Sequence, residues 1–446
     1  MSKTMKSASP WVGRVAVTTL GCKVNQFESA AFLSDFAAQG LTIVPFAQPA
    51  DLYVINTCAV TAKAGAQSRQ LIRRALKTNP KARLIVTGCY AQVASEEILE
   101  LVEQPLCLVG NAYKHRLVEV ALADSHCDLE MYLGDLAGAR EVCPLTVTGF
   151  AGRTRSYLKV QDGCNQFCTY CIVPYARGRS RSVPPGAVLA QAQLFVEQGF
   201  REMVLTGIHL GHYGLDLSPT MSLLTLVDLL LAQRHPVRYR LSSLEPTEIT
   251  PALLARMAEA PELMPHLHIP LQSGDDRILA AMHRRYTRAQ FAEIIQACAA
   301  SLPGLAIGVD VLVGFPGEDE AAFRNTYELL AGLPVSYLHV FPYSRRPGTI
   351  AAKMSGQIPR PVKDERVALL RALDQEKRQA FYGSHLGEVC GVLAEPGKGG
   401  KILRGFTEHY VPVTFAGPAT LANSVVSVRL DRLTEAGVAA TLMEAP

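Results

Sequence analysis

The spacing of hydrophobic and polar positions changes its rhythm three times along the chain. Over the first 140 residues, short apolar runs alternate with amphipathic stretches. Residues 15–20 read as a buried strand ending at Gly21-Cys22, followed by a helix from about 25 to 39 that Gly40 stops. A second strand, 51–56, runs into Thr57-Cys58, and a helix spans about 61–77. A third strand, 83–87, runs into Gly88-Cys89. Strands alternating with helices imply a parallel sheet, which takes ligands beyond the carboxyl ends of its strands.

The stretch from about 134 to 155 loses periodicity and reads as a linker. Apolar strand patterns then recur at 155–160, 202–206, 238–242, 266–270, 306–313 and 336–342. Helical patterns near 185–198, 223–234, 251–259, 288–300 and 319–330 separate them. Six strand–helix units without closing material predict an incomplete (β/α) barrel with its site at the strands' carboxyl ends. After a charged helix at 363–380 the period drops to two. Strands at 387–393, 401–406, 411–415, 424–430 and 437–442, with a glycine-rich turn at 396–400, predict a small antiparallel β-barrel. The expected class is α/β, in three domains: an N-terminal parallel-sheet α/β domain (12–135), a central partial (β/α)6 barrel (150–380) and a C-terminal β-barrel (381–446). A chain of 446 residues is long enough to give each its own core.

Composition narrows the classes. The chain is 48% hydrophobic and 19% charged, as in a soluble protein. Its longest nearly apolar run, 223–232, is broken by Thr225 and Asp228 and is too short to span a bilayer. Residues 1–10 lack an apolar signal core and are expected to form a disordered tail, so the protein is expected to be cytoplasmic with no membrane partner. Eleven cysteines without an export signal point to metal or redox use instead of disulfides. With a net charge of only +4, a polyanion must be met by local patches. The strongest patch lies between Thr61 and Arg83: Lys63, Arg69, Arg73, Arg74, Lys77, Lys81 and Arg83, with no acidic residue. Arg69, Arg73 and Lys77 share one helix face, which suits a phosphate backbone, although a solvated face is the plainer alternative. The 381–446 segment, with five basic and six acidic residues, is not basic.

The cysteines carry the chemistry. Cys164, Cys168 and Cys171 lie at C-x-x-x-C-x-x-C spacing in Gly163-Cys-Asn-Gln-Phe-Cys-Thr-Tyr-Cys171, with no fourth cysteine nearby. A structural zinc site takes four protein ligands, whereas three thiolates around an iron–sulfur cube leave one metal position open for chemistry. A zinc loop completed by His or Asp is the alternative. Cys22, Cys58 and Cys89 each follow a strand directly, so a parallel sheet should bring them to one edge as a second three-thiolate set. Cys107, Cys127, Cys143, Cys298 and Cys390 show no pattern and read as core or incidental thiols. The barrel strands end in Thr206-Gly-Ile-His209, Ser242-Ser-Leu-Glu245-Pro, Leu271-Gln272-Ser-Gly274, Asp310-Val-Leu-Val-Gly314-Phe-Pro-Gly and Phe341-Pro-Tyr343-Ser. Turns alone would explain one of these. Five at equivalent places define a ligand-binding rim.

These blocks, with Gly21-Cys-Lys-Val-Asn-Gln, Asn56-Thr-Cys, Thr87-Gly-Cys, Arg177-Gly-Arg-Ser-Arg-Ser and Val313-Gly-Phe-Pro-Gly-Glu318, resemble the radical S-adenosylmethionine (SAM) methylthiotransferase family over nearly the whole chain. The resemblance implies that 12–135 is the methylthiotransferase domain, 150–380 the radical SAM domain and 381–446 a TRAM domain that holds RNA. It implies two [4Fe–4S] clusters, one on Cys164, Cys168 and Cys171 and an auxiliary one on Cys22, Cys58 and Cys89. The open iron of the first is expected to hold the amino and carboxylate groups of SAM. Glu245, Gln272, Asp310, Gly314 and Tyr343 are then candidates to contact SAM, and Arg284 to hold its carboxylate. Gly-Cys-Lys-Val-Asn-Gln, Asn-Thr-Cys-Ala-Val-Thr and Thr206-Gly-Ile-His-Leu-Gly are most similar to the branch that methylthiolates C2 of N6-threonylcarbamoyladenosine beside the tRNA anticodon. Isopentenyladenosine in tRNA and a ribosomal-protein aspartate are the substrates of the other branches. The partners implied are tRNA, an electron donor such as flavodoxin or ferredoxin, and a sulfur source. A non-catalytic RNA-binding protein with structural clusters is the competing class, and cleavage of SAM by the reduced protein separates the two.

Overall fold

The computed structural model describes residues 13–102, 105–123, 128–150, 152–397, 399 and 401–443. The expected disordered tail and Cys127 lie outside them. The chain forms two compact units, one of residues 1–149 with 172–179, the other of 150–171 with 180–446.

The first unit is built on six strands: β1 (Arg14–Thr19), β2 (Thr42–Ile43), β3 (Leu52–Thr57), β4 (Arg83–Gly88), β5 (Leu106–Val109) and β6 (Leu129–Tyr132). They pair in the order β2–β1–β3–β4–β5–β6, parallel throughout. β3 is buried at every position, as expected of a parallel strand covered on both faces. Its alternate residues serve two cores. Leu52 and Val54 pack with Phe32 and Phe36 of the helix Lys23–Ala38, while Tyr53 and Ile55 pack with Ile72 and Ala75 of the helix Ala62–Thr78. The two helices therefore cover opposite faces, and the order reverses between β1 and β3. Such a switch point opens a crevice at the strands' carboxyl ends. β2, β5 and β6 are too short for a sequence period to reveal.

The second unit begins with β7 (Arg155–Lys159), the two-residue strands β8 (Gln161–Asp162) and β9 (Arg181–Ser182), β10 (Glu202–Thr206) and β11 (Arg238–Leu241). β12 (His266–His268), β13 (Ala306–Val313) and β14 (Tyr337–Pro342) follow. β7–β10–β11 and β12–β13–β14 are parallel sheets, and the bridges Tyr239–Leu263 and Ser243–His268 join them. The six strands thus follow one another in chain order, as the incomplete barrel requires. The helix Arg360–Ser384 lies along the edge strand β14: the Leu338 N–H donates to Asp374 Oδ1 (2.7 Å), satisfying an edge donor that would otherwise invite another strand.

The last six strands are β15 (Val389–Leu393), β16 (Glu395–Pro396), β17 (Ile402–Phe406), β18 (Pro412–Ala416), β19 (Val425–Thr434) and β20 (Gly437–Leu442). They form one curled sheet, β15–β19–β20–β18–β17–β16, and a bridge from Val392 to Thr407 folds the first strand back toward β17. The expected small β-barrel is present as a half-barrel whose sheet is mixed. β18 and β20 pair in parallel because the chain crosses from β18 to β19 before β20 returns between them.

The turn between β17 and β18 seals the amino-terminal end of the large barrel. Glu202, fully buried at the start of β10, takes Arg238 (2.6 Å) and Arg240 (3.1 Å). Arg240 also donates to the carbonyls of Thr407 (3.3 Å) and Glu408 (3.1 Å) and stacks over Tyr410, while Arg155 stacks over Phe406 and pairs with Glu395. Burial alone would raise the pKa of Glu202, but Arg240 and Arg238 outweigh it and hold it at about 2. Its stabilising charge is therefore present above the ordinary carboxylate range and lost as pH falls toward 2. Glu202→Gln should cost roughly 3–5 kcal/mol, because the buried Arg240 and the part-buried Arg238 lose their counter-charge. The thermal unfolding midpoint of the anaerobically prepared variant is expected to fall by several degrees, and an unchanged midpoint would remove this ion cluster from the account of stability.

Candidate functional site

Each cysteine triad sits where a parallel sheet delivers it. In the first unit Cys22 follows β1 and caps the helix Lys23–Ala38, Cys58 follows β3, and Cys89 follows β4 and opens the helix Cys89–Val93. The three strands are neighbours, and β1 and β3 flank the switch point. Gly21 (φ +102°) and Gly88 (φ +94°) make the sharp turns. A Cβ at 21 would press on the Cys58 side chain at 2.9–3.0 Å, and one at 88 would collide with the Thr57 backbone. Side-chain bonds lock the three loops together. Asn25 Nδ2 donates to the Leu20 (2.7 Å) and Thr57 (3.0 Å) carbonyls, Thr57 Oγ1 to that of Thr87 (2.5 Å), and Thr87 Oγ1 to that of Val109 (2.6 Å).

Beside the thiols lies a buried ion cluster. Glu28 pairs with Lys114 and with Arg177 (3.0 Å), and Arg177 also donates to Asn25 Oδ1 (2.5 Å). All four side chains are about 1–2% exposed, so one carboxylate meets two cations in a dry interior. Burial lowers the pKa of Lys114, with Glu28 working against it. Arg177 arrives on the helix Val173–Arg177, which belongs to this unit although it follows Cys171 in sequence. Asn111 Nδ2, donating to the Ala176 carbonyl (2.6 Å), holds that helix in place.

Burial pushes the Cys58 thiol up to about 12, with Cys89 and Cys22 adding to it, so ionising one thiol disfavours the next. Cys22, although it keeps a solvent-exposed face, is raised by desolvation and lowered by Arg177. A metal-rich group that binds thiolates would relieve this cost. The excess positive charge of Lys114 and Arg177 over Glu28 also suits a bound anion. The donor set fits a three-thiolate iron–sulfur cube.

In the second unit the loop after β8 carries Cys164, Cys168 and Cys171. Gln161 anchors it, donating to the carbonyls of Asp162 (2.9 Å) and Gly163 (2.7 Å) and accepting from the His209 N–H (2.8 Å). Thr169 Oγ1 donates to the Ala281 carbonyl (2.8 Å). Two cationic side chains face the sulfurs. His209 Nδ1 lies 3.6 Å from Cys164 Sγ, with its Nε2 2.5 Å from Glu248 and its ring stacked on His212. Burial opposes protonation of His209, but Cys164 and Glu248 outweigh it and raise its pKa to about 10. Arg284 Nη1 donates to Cys168 Sγ (3.5 Å), its Nε to Tyr286 (3.0 Å), and its other end pairs with Glu245. Donors aimed at thiolate sulfur offset the charge of a three-thiolate cluster, so this set also fits one.

The sequence candidates divide. Glu245 and Arg284 come together at Cys168. Gln272, at φ +66°, bridges to Val311 beside Asp310. Asp310 lies between His268 (3.2 Å) and His339 (3.4 Å). Gly314 and Tyr343 form a separate corner: the Gly314 N–H donates to Glu318 (2.8 Å), and Tyr343 is buried with Ile278, Phe315 and Ala351. Sequence reasoning missed the roles of His209, Glu248, His268 and His339. A signal existed, since His266 and His268 in β12, and Tyr337 and His339 in β14, alternate and so share the face of Asp310. Among the remaining thiols, Cys107, Cys298 and Cys390 are buried, and Cys143 donates to the Asn111 and Ala112 carbonyls. Among the described residues, no helix is long and apolar enough to cross a membrane.

Comparison with known proteins agrees with this architecture. Residues 158–330 match the radical SAM superfamily, and residues 14–110 match a family described as uncharacterized protein family UPF0004. A radical SAM methyltransferase, TsrM from Kitasatospora setae, solved with cobalamin and a [4Fe-4S] cluster, shares the fold at a TM-score of 0.54, with 15% identity and 76% of each chain covered. The protein is therefore a radical SAM protein, a class defined by SAM and a [4Fe–4S] cluster. The threonylcarbamoyladenosine tRNA methylthiotransferase MtaB of Aquifex aeolicus is 41% identical over 91% of this chain and 97% of its own length. The tRNA-2-methylthio-N(6)-dimethylallyladenosine synthase of Novosphingobium aromaticivorans is 34% identical over 95% and 96%. The chain belongs to the radical SAM methylthiotransferase family, in its MtaB-like branch.

Gly88→Ala should destabilise the first unit by more than about 2 kcal/mol and lower bound iron, because positive φ and a backbone collision act together. Gly40→Ala, also at positive φ (+83°) but with nothing within 4 Å, should cost about 1 kcal/mol and leave the iron unchanged. Thermal unfolding and iron analysis of both variants check this, and equal effects would dismiss the close approach at Gly88.

Proposed function

We propose that the protein adds a methylthio group to C2 of N6-threonylcarbamoyladenosine next to the tRNA anticodon. One observation carries the reading: two separate three-cysteine sets, each at the carboxyl edge of its own parallel sheet, in a chain 41% identical to a protein named for this activity. Three domains, 12–135, 150–380 and 381–446, divide the work. Cys164, Cys168 and Cys171 hold the cluster that serves SAM, and Cys22, Cys58 and Cys89 hold a second [4Fe–4S] cluster. When bound, the first cluster and SAM supply the radical chemistry that an unactivated C2–H bond demands, and the second supplies sulfur.

The chain's own residues hold, orient and exclude water. His209 and Arg284 present positive charge to Cys164 and Cys168, and Glu245 keeps Arg284 in register. Gln272 and Asp310 line the barrel beside them. Phe341 (47% exposed), the last residue but one of β14, offers an open aromatic face on which an adenine can stack. An electron donor such as flavodoxin or ferredoxin and a sulfur source complete the reaction, and the protein works in the cytoplasm.

For tRNA, the helix Ala62–Thr78 offers Arg73, Arg74 and Lys77, all exposed. Two of its neighbours are engaged in the fold. Arg69 donates to Tyr90 (2.7 Å) and Glu97 (3.1 Å), and Arg83 to the Ala123 carbonyl (2.6 Å) and Glu130 (2.7 Å). Arg73→Glu with Lys77→Glu should weaken tRNA binding at least several-fold and flatten its salt dependence by about two phosphate contacts. Filter-binding titrations across salt concentrations measure this; unaltered affinity and slope would make the helix a solvated face.

Mass spectrometry of tRNA nucleosides tests the reaction itself. A strain lacking the gene should lose 2-methylthio-N6-threonylcarbamoyladenosine and keep the unmethylthiolated nucleoside. Cys58→Ala should not restore it, although the purified, folded variant still cleaves SAM. Loss of the methylthiolated dimethylallyl nucleoside instead would move the protein to the other tRNA branch.

A further inference from the structure

Inside the large barrel, in a group that contains no cysteine, three metal-binding side chains converge. β12 supplies His268, β13 Asp310 and β14 His339, on adjacent parallel strands whose register sets Asp310 opposite His339. His268 Nε2 and Asp310 Oδ1 are 3.2 Å apart, Asp310 Oδ1 and His339 Nδ1 3.4 Å, and the two ring nitrogens 3.2 Å. We propose that these three residues bind a divalent transition-metal ion, zinc first among them.

The triangle carries the argument. Bonds of about 2.0–2.1 Å in a tetrahedral zinc site put neighbouring ligand atoms roughly 3.3–3.4 Å apart, and all three edges here are close to that. Hydrogen bonding accounts for only two edges. If both rings donate to Asp310, two N–H groups face each other at 3.2 Å; if one ring donates to the other, the carboxylate loses a donor. A cation at the centre satisfies all three.

The surroundings fit as well. Ser243 Oγ lies 2.7 Å from His268 Nδ1. A bond there fixes the ring and leaves Nε2 as the ligating atom, the usual outer support of a metal-bound imidazole. Two imidazoles and one carboxylate select zinc or iron(II) over the hard cations magnesium and calcium, which prefer all-oxygen sets. Three protein ligands leave a fourth position for water or another oxygen ligand. The other histidine-rich group, His209, His212 and Glu248, is turned to Cys164 and belongs to the site already described.

Metal analysis of cluster-loaded protein tests this without reference to activity. After anaerobic dialysis against micromolar zinc and then metal-free buffer, the wild type should keep about one zinc per chain in addition to its iron. Asp310→Asn and His339→Ala should each lose it with iron content and circular dichroism unchanged. Ser243→Ala should weaken zinc binding about 10–100-fold. Cobalt(II) substituted for the zinc should show ligand-field absorption without thiolate-to-cobalt charge transfer. Wild-type protein that keeps no zinc, folded variants that keep as much as wild type, or cobalt bound through thiolate would each overturn the proposal.

Discussion

The buried pairing of Glu28 with Lys114 and Arg177 is the interaction on which the first cysteine site depends. Carrying three charges into a dry interior costs several kcal/mol per ion and is tolerable only when each finds a partner. Here the partners come from three places in the chain. Glu28 and Asn25 lie on the helix that Cys22 caps, Lys114 follows β5, and Arg177 comes from a five-residue helix beyond the second cysteine loop. Removing Glu28 would leave two buried cations without their counter-charge where water cannot reach them. The arrangement therefore fixes the helix behind Cys22 and keeps positive charge beside the thiols.

Much of this was legible in the sequence, and the reasons for the gaps are physical. Long elements with a clear period, such as the helix Ala62–Thr78 and strand β13, fall where their patterns place them. The cysteines after β1, β3 and β4 announced themselves because a parallel sheet aligns strand ends whatever the sequence distance between them. What was hidden is short or depends on partners. Strands β2, β5 and β6 have two to four residues, and Val173–Arg177 reads as part of a loop. Arg69 and Arg83 look identical to Arg73 in the sequence, yet tertiary contacts with Tyr90, Glu97 and Glu130 tie them into the fold. His268 and His339 look like ordinary strand residues until the register sets them on either side of Asp310.

Both sheets gain precision from the same economy. Strands and helices carry the scaffold, while reactive side chains occupy the turns just beyond it, held by bonds to backbone rather than by their own packing. Gln161 shows the principle in the barrel, and Asn25 in the first sheet. The amino-terminal end of the barrel is used differently. There Glu202, its arginines and the aromatic turn from the last domain form a stacked seal, so the half-barrel at the chain's end belongs to the same compact unit as the large barrel.

The placement of Arg177 sets a limit on how the gene can be divided. A fragment ending near residue 149 would contain β1 to β6, all three cysteines of the first site and both helices that flank its switch point. It would also contain Glu28 and Lys114 without the guanidinium between Glu28 and Asn25, and Asn111 without its carbonyl at Ala176. The structural boundary of this unit is therefore not a single cut in the chain. Domain swaps and split versions of this protein must carry residues 172–179 with the first unit, and chimaeras joined between Cys171 and Arg177 would pair one protein's cysteine loop with another's buried charge.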